Sequence, residues 1–281
     1  RARDRFDPDA DFVKVGRGSL GGKARGLAFA AMLLKEHPEL QRKFPAVDVR
    51  VPKTIVISTE GFDAFIADND LREFGTRELP DEDIAAAFLN ARFPEWLARQ
   101  LEFVIDHTTC PLAVRSSSML EDAQFQPFAG IYRTYMLPNN HPDRTRRLAR
   151  LIMAVKMVYA STYCESPKSF AKSTFHRIEE EKMAVAIQHL AGEPYRDYYF
   201  PAMAGVVQSY NYYPIAHLKP EEGIAHIAFG LGKMVVEGGT SIRFSPRYPQ
   251  FMPQFSTVDD ILKNSQRFFY ALRMKDFQED L

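Results

Sequence analysis

An α+β fold in two lobes is predicted by three features of the sequence. Short β-branched runs alternate with amphipathic helical patterns along the first part of the chain. Beyond Lys182 three strand-like runs succeed one another with only turns between them. A hydrophobic fraction of 46% over 281 residues supplies core enough for one large domain or two intimately packed lobes. The boundary between the lobes is expected near residue 180.

The elements follow in order. From Gly21 a glycine-rich turn feeds a helix with Leu27, Ala31 and Leu34 on one face and Pro38 beyond its end. Thr54-Ile55-Val56-Ile57-Ser58 is a short β-branched strand, and Ser58 or Thr59 is placed to cap a helix that runs through Phe62, Phe65 and Ile66. Residues 67–110 are helical in tone, with Ile84, Phe88, Leu89, Trp96, Leu97 and Leu101, and carry no catalytic pattern, so their expected role is packing. Leu112-Ala113-Val114 is a strand that opens into Arg115-Ser116-Ser117-Ser118, followed by Glu121-Asp122 and a bend at Pro127 and Gly130. Strands that open into polar loops are a common position for ligand contacts. Between Arg144 and Tyr163, Leu148, Leu151, Ile152, Val155, Val158 and Tyr159 recur at spacings of three and four, an amphipathic helix. Met183 to Gln188, Ala204 to Gln208 and Gly223 to Ala228 are three strands separated by turns with Gly192, Pro194, Asn211 and Pro220, which predicts an antiparallel meander. The stretch from Val258 to Arg273 is again helical.

Charge excludes some functions. Lysine plus arginine (36) equals aspartate plus glutamate (36), so no global basic field attracts nucleic acid or an anionic membrane, and any anion site must be local. No apolar run approaches the roughly 20 residues that span a bilayer. Two cysteines, Cys110 and Cys164, are too few for a disulfide framework and lack zinc-site spacing, which predicts buried thiols in a reducing, cytoplasmic compartment. The missing initiator methionine and an end just after a helical pattern predict a piece of something longer.

Three segments bear on chemistry. In Leu20-Gly21-Gly22-Lys23-Ala24-Arg25-Gly26, glycines let backbone amides approach an anion, the helix N-terminus adds partial positive charge, and Lys23 or Arg25 supplies a full one. The spacing is not the Walker pattern, and a glycine-lysine turn alone is more often only a turn. In Val114-Arg115-Ser116-Ser117-Ser118, a guanidinium fork matches phosphate oxygens and the hydroxyls add donors. The competing reading is a salt bridge from Arg115 to Glu121 or Asp122. The third segment, Phe229-Gly230-Leu231-Gly232-Lys233 followed by Ser241-Ile242-Arg243, places an arginine to close over phosphates, but on spacing alone it reads as a hairpin with a solvated lysine.

Taken in order, Leu20-Gly21-Gly22-Lys23, Val51-Pro52 with Ile57-Ser58-Thr59-Glu60-Gly61-Phe62, Ala113-Val114-Arg115-Ser116-Ser117 with Glu121-Asp122 and Phe128-Ala129-Gly130, Ala186-Ile187-Gln188, Ala204-Gly205-Val206 and Gly230-Leu231-Gly232 resemble the N-terminal domain of pyruvate phosphate dikinase and phosphoenolpyruvate synthase. The resemblance covers residues 12 to 246. It implies an ATP-grasp-like α+β fold, two lobes with a nucleotide cleft between them, residues 12–180 forming the first and 181–281 a second that stops short of its C-terminus. It further implies ATP and Mg2+ as ligands, and phosphate passed from ATP to a histidine on a separate domain and on to pyruvate, both domains lying elsewhere in the full-length protein. By motif, Lys23 and Arg115 take the catalytic and phosphate-binding roles, with Ser116 and Arg243 assisting and Gln188 to Ala191 at the hinge that meets adenine.

The chain departs from the family pattern after Val207, where it reads Gln208-Ser209-Tyr210-Asn211-Tyr212-Tyr213-Pro214. Ala225-His226 stands where an acid often precedes the glycine turn, and Lys233 where a glutamate often follows Gly-Leu-Gly. Magnesium prefers oxygen, so His226 is a poor ligand for it, Glu222 and Glu237 are read as solvated, and the metal ligands stay unassigned. None of the seven histidines has the context of a phosphoacceptor, so no internal phosphohistidine is expected. The alternatives are an ATP-binding sensor or scaffold without transfer, and a related dikinase with a different final acceptor.

Overall fold

The computed structural model describes residues 10–118, 132–173 and 180–275. Glu121, Asp122, Pro127, the Phe128-Ala129-Gly130 stretch and His176 lie outside the described residues. The chain is a mixed α+β protein that divides into two compact units between Leu190 and Ala191.

The first unit is built on a five-stranded sheet. Its strands are β1 (Phe12–Val15), β2 (Thr54–Ile57), β3 (Leu112–Ser118), β4 (Thr134–Leu137) and β5 (Met183–His189), in the order β1-β2-β5-β3-β4. Only β1 and β2 run parallel, and the other pairs are antiparallel. Strand pleating separates side chains by size. Leu112, Val114, Val185, Ile187, Ile55 and Ile57 enter the main core, whereas Val56, Ala184, Ala186 and Ala113 line the other face.

Helices cover the large-residue face. They include α3 (Thr59–Asp68), α5 (Asp81–Asn90), α6 (Glu95–His107) and α7 (Arg144–Ala160). As the three-four spacing predicts, α7 buries Leu151, Val155, Val158 and Tyr159, and Asp143 caps it by accepting from the Thr145 amide at 2.8 Å. The opposite, small-residue face receives α1 (Gly21–Glu36) through Ala24, which packs on Val56 and Ala184. The remaining helices of this unit are α2 (Glu39–Lys43), α4 (Leu71–Thr76) and α8 (Glu165–Ser173).

The second unit carries two three-stranded sheets. One has β8 (Ala204–Gln208), β9 (Ile224–Ala228) and β10 (Ile242–Phe244) in the order β10-β9-β8, all antiparallel. The other joins β6 (Glu193–Tyr195) and β7 (Tyr198–Phe200) to β11 (Leu272–Arg273). Helices α9 (Lys233–Val236) and α10 (Val258–Asn264) complete it.

Three expectations are corrected. The run from Met183 is no part of a meander with β8, since β5 sits in the middle of the first sheet, between β2 and β3. An unbroken apolar strand buried on both faces needs a central position, and β5 is buried along all but its last residue. The Val258–Arg273 helix ends at Asn264, because the Gln266 side chain bonds both the amide and the carbonyl of Phe229 (2.8 and 2.9 Å) and draws the chain into an extended run. The turn at Gly230-Leu231-Gly232 opens α9 rather than a hairpin.

Candidate functional site

β3 carries a charge in the middle of an apolar sheet. Six of its seven residues are buried and Arg115 alone is exposed. Pleating and register set Arg115 on the small-residue face, with Ala113 and Ser117 on its own strand and Ala184, Ala186 and Gln188 on β5. The alanines leave the guanidinium room above the sheet. Its Nη1 donates to Gln188 Oε1 at 3.4 Å, and among the described residues it makes no ion pair. The competing salt-bridge partners, Glu121 and Asp122, are outside the described residues.

A short relay fixes Gln188. Its Nε2 donates to Thr54 Oγ1 at 3.0 Å, and Thr54 in turn donates to the Pro52 carbonyl at 2.7 Å. Gln188 is 7% exposed, so the amide that receives Arg115 is held in one orientation by a buried neighbour. Thr54 escaped notice in the sequence, where it reads only as a β-branched strand residue.

Lys23 arrives from the first turn of α1. Its Nζ lies 3.3 Å from Ser116 Oγ, one residue along from Arg115. The approach depends on Gly21, with φ +69, where a Cβ would lie 1.6 Å from the Ser117 carbonyl oxygen. A side chain there would hold α1 off the sheet. Ser117 then closes the joint, its Oγ donating to the Leu20 carbonyl (2.8 Å) and accepting from the Ala24 amide (3.0 Å).

The glycine turn therefore differs from the expected amide cradle. The Gly21 amide is bonded to Ser19 Oγ (3.2 Å) and the Ala24 amide to Ser117, so hydroxyls take two of the helix-end donors. Arg25 turns back to its own helix, Nε donating to the Gly21 carbonyl. The positive charge brought to β3 is the Lys23 side chain.

Lys23 thus reaches Ser116, and Arg115 reaches Gln188, on one sheet of the first unit. Arg243 belongs to the second unit, on β10, directly across from His226 on β9, which in turn faces Val206 on β8. Burial lowers the His226 pKa, and the Arg243 charge lowers it further. Glu222 and Glu237, read from sequence as solvated, have basic partners: Glu222 lies 3.8 Å from Arg247 and Glu237 3.7 Å from Lys233. Lys233 also sits over the Tyr270 ring at 5.0 Å. Among the described residues no group of three or more histidine, cysteine or acidic side chains is placed to hold a metal. No described helix is long and apolar enough to cross a membrane.

A lysine brought to β3 at Ser116 and an exposed arginine on the same strand are cations suited to a polyanion. Comparison with known proteins points to the same class of ligand. The family model described as pyruvate phosphate dikinase, AMP/ATP-binding domain, matches residues 17–268. Over 194 residues the chain is 28% identical to the uncharacterized phosphotransferase YvkC of Bacillus subtilis (strain 168), a stretch that covers 68% of this chain and 20% of that protein. With nearly its whole length matched, the chain belongs to the family of pyruvate phosphate dikinase AMP/ATP-binding domains.

Proposed function

We propose that this chain is the ATP-binding part of a cytoplasmic ATP-grasp phosphotransferase of the pyruvate phosphate dikinase and phosphoenolpyruvate synthase type. In this reading Lys23 and Arg115 hold the ATP phosphates, with Ser116 and Arg243 assisting. Gln188 orients Arg115, and the chain that follows it to Ala191 meets the adenine. Phosphate passes to a histidine on a separate domain and then to pyruvate or another acceptor.

The observation that carries this reading is Arg115, an exposed guanidinium in an otherwise buried strand, without a carboxylate partner among the described residues. Phosphoryl transfer is catalysed mainly by positioning and by neutralising charge on the transferring group, work in which lysine and arginine side chains take part. Magnesium accompanies ATP in such chemistry and takes oxygen ligands. Lys23, Arg115, Ser116 and Gln188 bring no carboxylate, so no protein ligand for the ion is assigned and no step is derived through it.

Calorimetric titration of ATP into the chain tests the reading. Lys23→Ala and Arg115→Ala each weaken binding about 10- to 100-fold, the worth of a hydrogen bond to a charged group. Their melting temperatures stay close to the parent, because the lost partner is the ligand. Unchanged affinity in both variants would sink the assignment. A second reading, ATP binding without transfer, is favoured by Lys233, which pairs with Glu237 where relatives often carry a glutamate. Phosphorylation of a separately supplied histidine domain separates the two.

A further inference from the structure

The Ser58-Thr59-Glu60 segment has no part in the site described above, yet its three side chains all reach back to one loop. Glu60 Oε2 accepts from the Arg17 amide (2.5 Å), Ser58 Oγ from the Gly18 amide (3.2 Å) and Thr59 Oγ1 from the Ser19 amide (3.0 Å). The backbone answers in the other direction, with the Ser58 amide donating to the Val15 carbonyl and the Thr59 amide to the Ser19 carbonyl, both at 2.9 Å.

Local structure alone does not call for this arrangement. Ser58 stands at the N-cap of α3 with extended backbone, where its hydroxyl would ordinarily accept from an amide of its own helix, and it makes no such bond. The oxygen is turned instead to a loop 40 residues earlier. Ser58 is fully buried and Thr59 is 5% exposed, so neither bond is exchanged freely with water. Gly18 leaves the space they need, since a Cβ there would lie 2.4 Å from Thr59 Oγ1.

The clamped loop leads directly into the Gly21 turn and Lys23. With Ser117 gripping Leu20 and Ala24 from the other side, the start of α1 is fixed at both ends before any ligand arrives. We infer that Ser58, Thr59 and Glu60 are positioning residues that preorganise the Lys23 turn for an anionic phosphate ligand. Preorganisation raises affinity because the ordering cost is met on folding rather than on binding. The inference rests on the nucleotide reading above and deepens it.

The test is ATP affinity of the 281-residue chain by calorimetry, with melting temperature measured beside it. Thr59→Val and Glu60→Ala are expected to raise the ATP Kd about five- to tenfold, the scale of one lost hydrogen bond, Glu60→Ala melting near the parent and Thr59→Val, at a buried site, somewhat below it. Thr59→Ser, which keeps the hydroxyl, restores affinity. Glu60 is exposed, so its variant stays decisive even if Thr59→Val fails to fold. If Lys23→Ala weakens ATP while neither Thr59→Val nor Glu60→Ala does, the clamp is refuted and the nucleotide reading stands. If Lys23→Ala is also silent, both fall together. Equal losses of melting temperature and affinity in Thr59→Val and Thr59→Ser would mark the segment as merely structural and overturn the inference.

Discussion

In the first unit Phe62, Phe65, Phe88, Tyr159 and Tyr163 are all buried below 2% and pack edge-on, tilted and stacked, with centroids 5.2 to 6.4 Å apart, beneath a sheet whose β5 is sealed on both faces. In the second unit, among the described residues, the buried apolar side chains are Ala225, Ala228, Leu231 and Met234. Its larger groups meet as rings, Phe200 and Phe229 each against Phe269 at 5.0 and 4.7 Å, and β8 exposes Val206 and Val207. Stability is not uniform when burial is this unequal. The unit that holds Lys23 and Arg115 has the rigid support that a positioned charge pair requires.

Truncation breaks or sharpens this contrast most strongly. Phe62→Ala removes a ring buried between Tyr159 and Tyr163 and should cost about 3–5 kcal/mol. Val207→Ala, at a site 68% exposed, should stay within about 0.5 kcal/mol. Denaturant unfolding followed at Trp96, the single tryptophan and a residue of the first unit, reads the first effect directly. Comparable costs at the two sites would show the difference in packing to be unimportant.

Two glycines give the next, smaller pair. Gly21 and Gly238 share a positive φ, +69 and +75, but a Cβ at Gly21 strikes the Ser117 carbonyl whereas one at Gly238 meets nothing within 4 Å. Gly238→Ala should therefore cost only the about 1–2 kcal/mol of left-handed backbone. Gly21→Ala adds a backbone clash to that term, and should lower ATP affinity as well as stability because α1 must back away from β3. Equal destabilisation would mean that the contact of α1 with β3 relaxes without cost.

How much of this was legible depended on sequence distance. The α7 stripe and the start of α1 at Gly21 are local patterns, and both stand in the fold where the sequence put them, although hydroxyls take amides expected to face an anion. Lys23 was legible as a charge at a helix start, whereas Arg115, expected where the strand opens into a loop, stands mid-strand because β3 continues to Ser118. The approach of Lys23 to β3 needed the close contact at Gly21, which no spacing announces. Thr54 was invisible because its contact with Gln188 depends on the β2–β5 register, across 134 positions. Ser58 and Thr59 were read as caps, the ordinary use of such residues, and their hydroxyls went elsewhere for a tertiary reason. The place of β5 is not local either: adjacency in sequence suggests pairing with β8, while its unbroken apolar run requires the interior of the first sheet.

The smallest expected effect concerns protonation, and each unit holds one histidine through which to see it. Burial lowers the His189 pKa below its ordinary 6.5, and the Lys53 charge lowers it further; burial and Arg243 do the same for His226. His189 Nε2 lies 3.3 Å from Thr108 Oγ1, where a neutral ring can accept the hydroxyl hydrogen. Above pH 6.5 the ring is neutral folded or unfolded and the pH costs nothing. As pH falls from there through the depressed folded value, the unfolded chain binds the proton more readily, so stability declines. Acidification from about pH 7 to 5 should thus lower the Trp96-monitored midpoint, and His189→Gln should flatten that slope while His226→Gln leaves it unchanged. An equal response to both substitutions would show that the two units unfold as one, because protonation in the second would then be felt at a probe in the first.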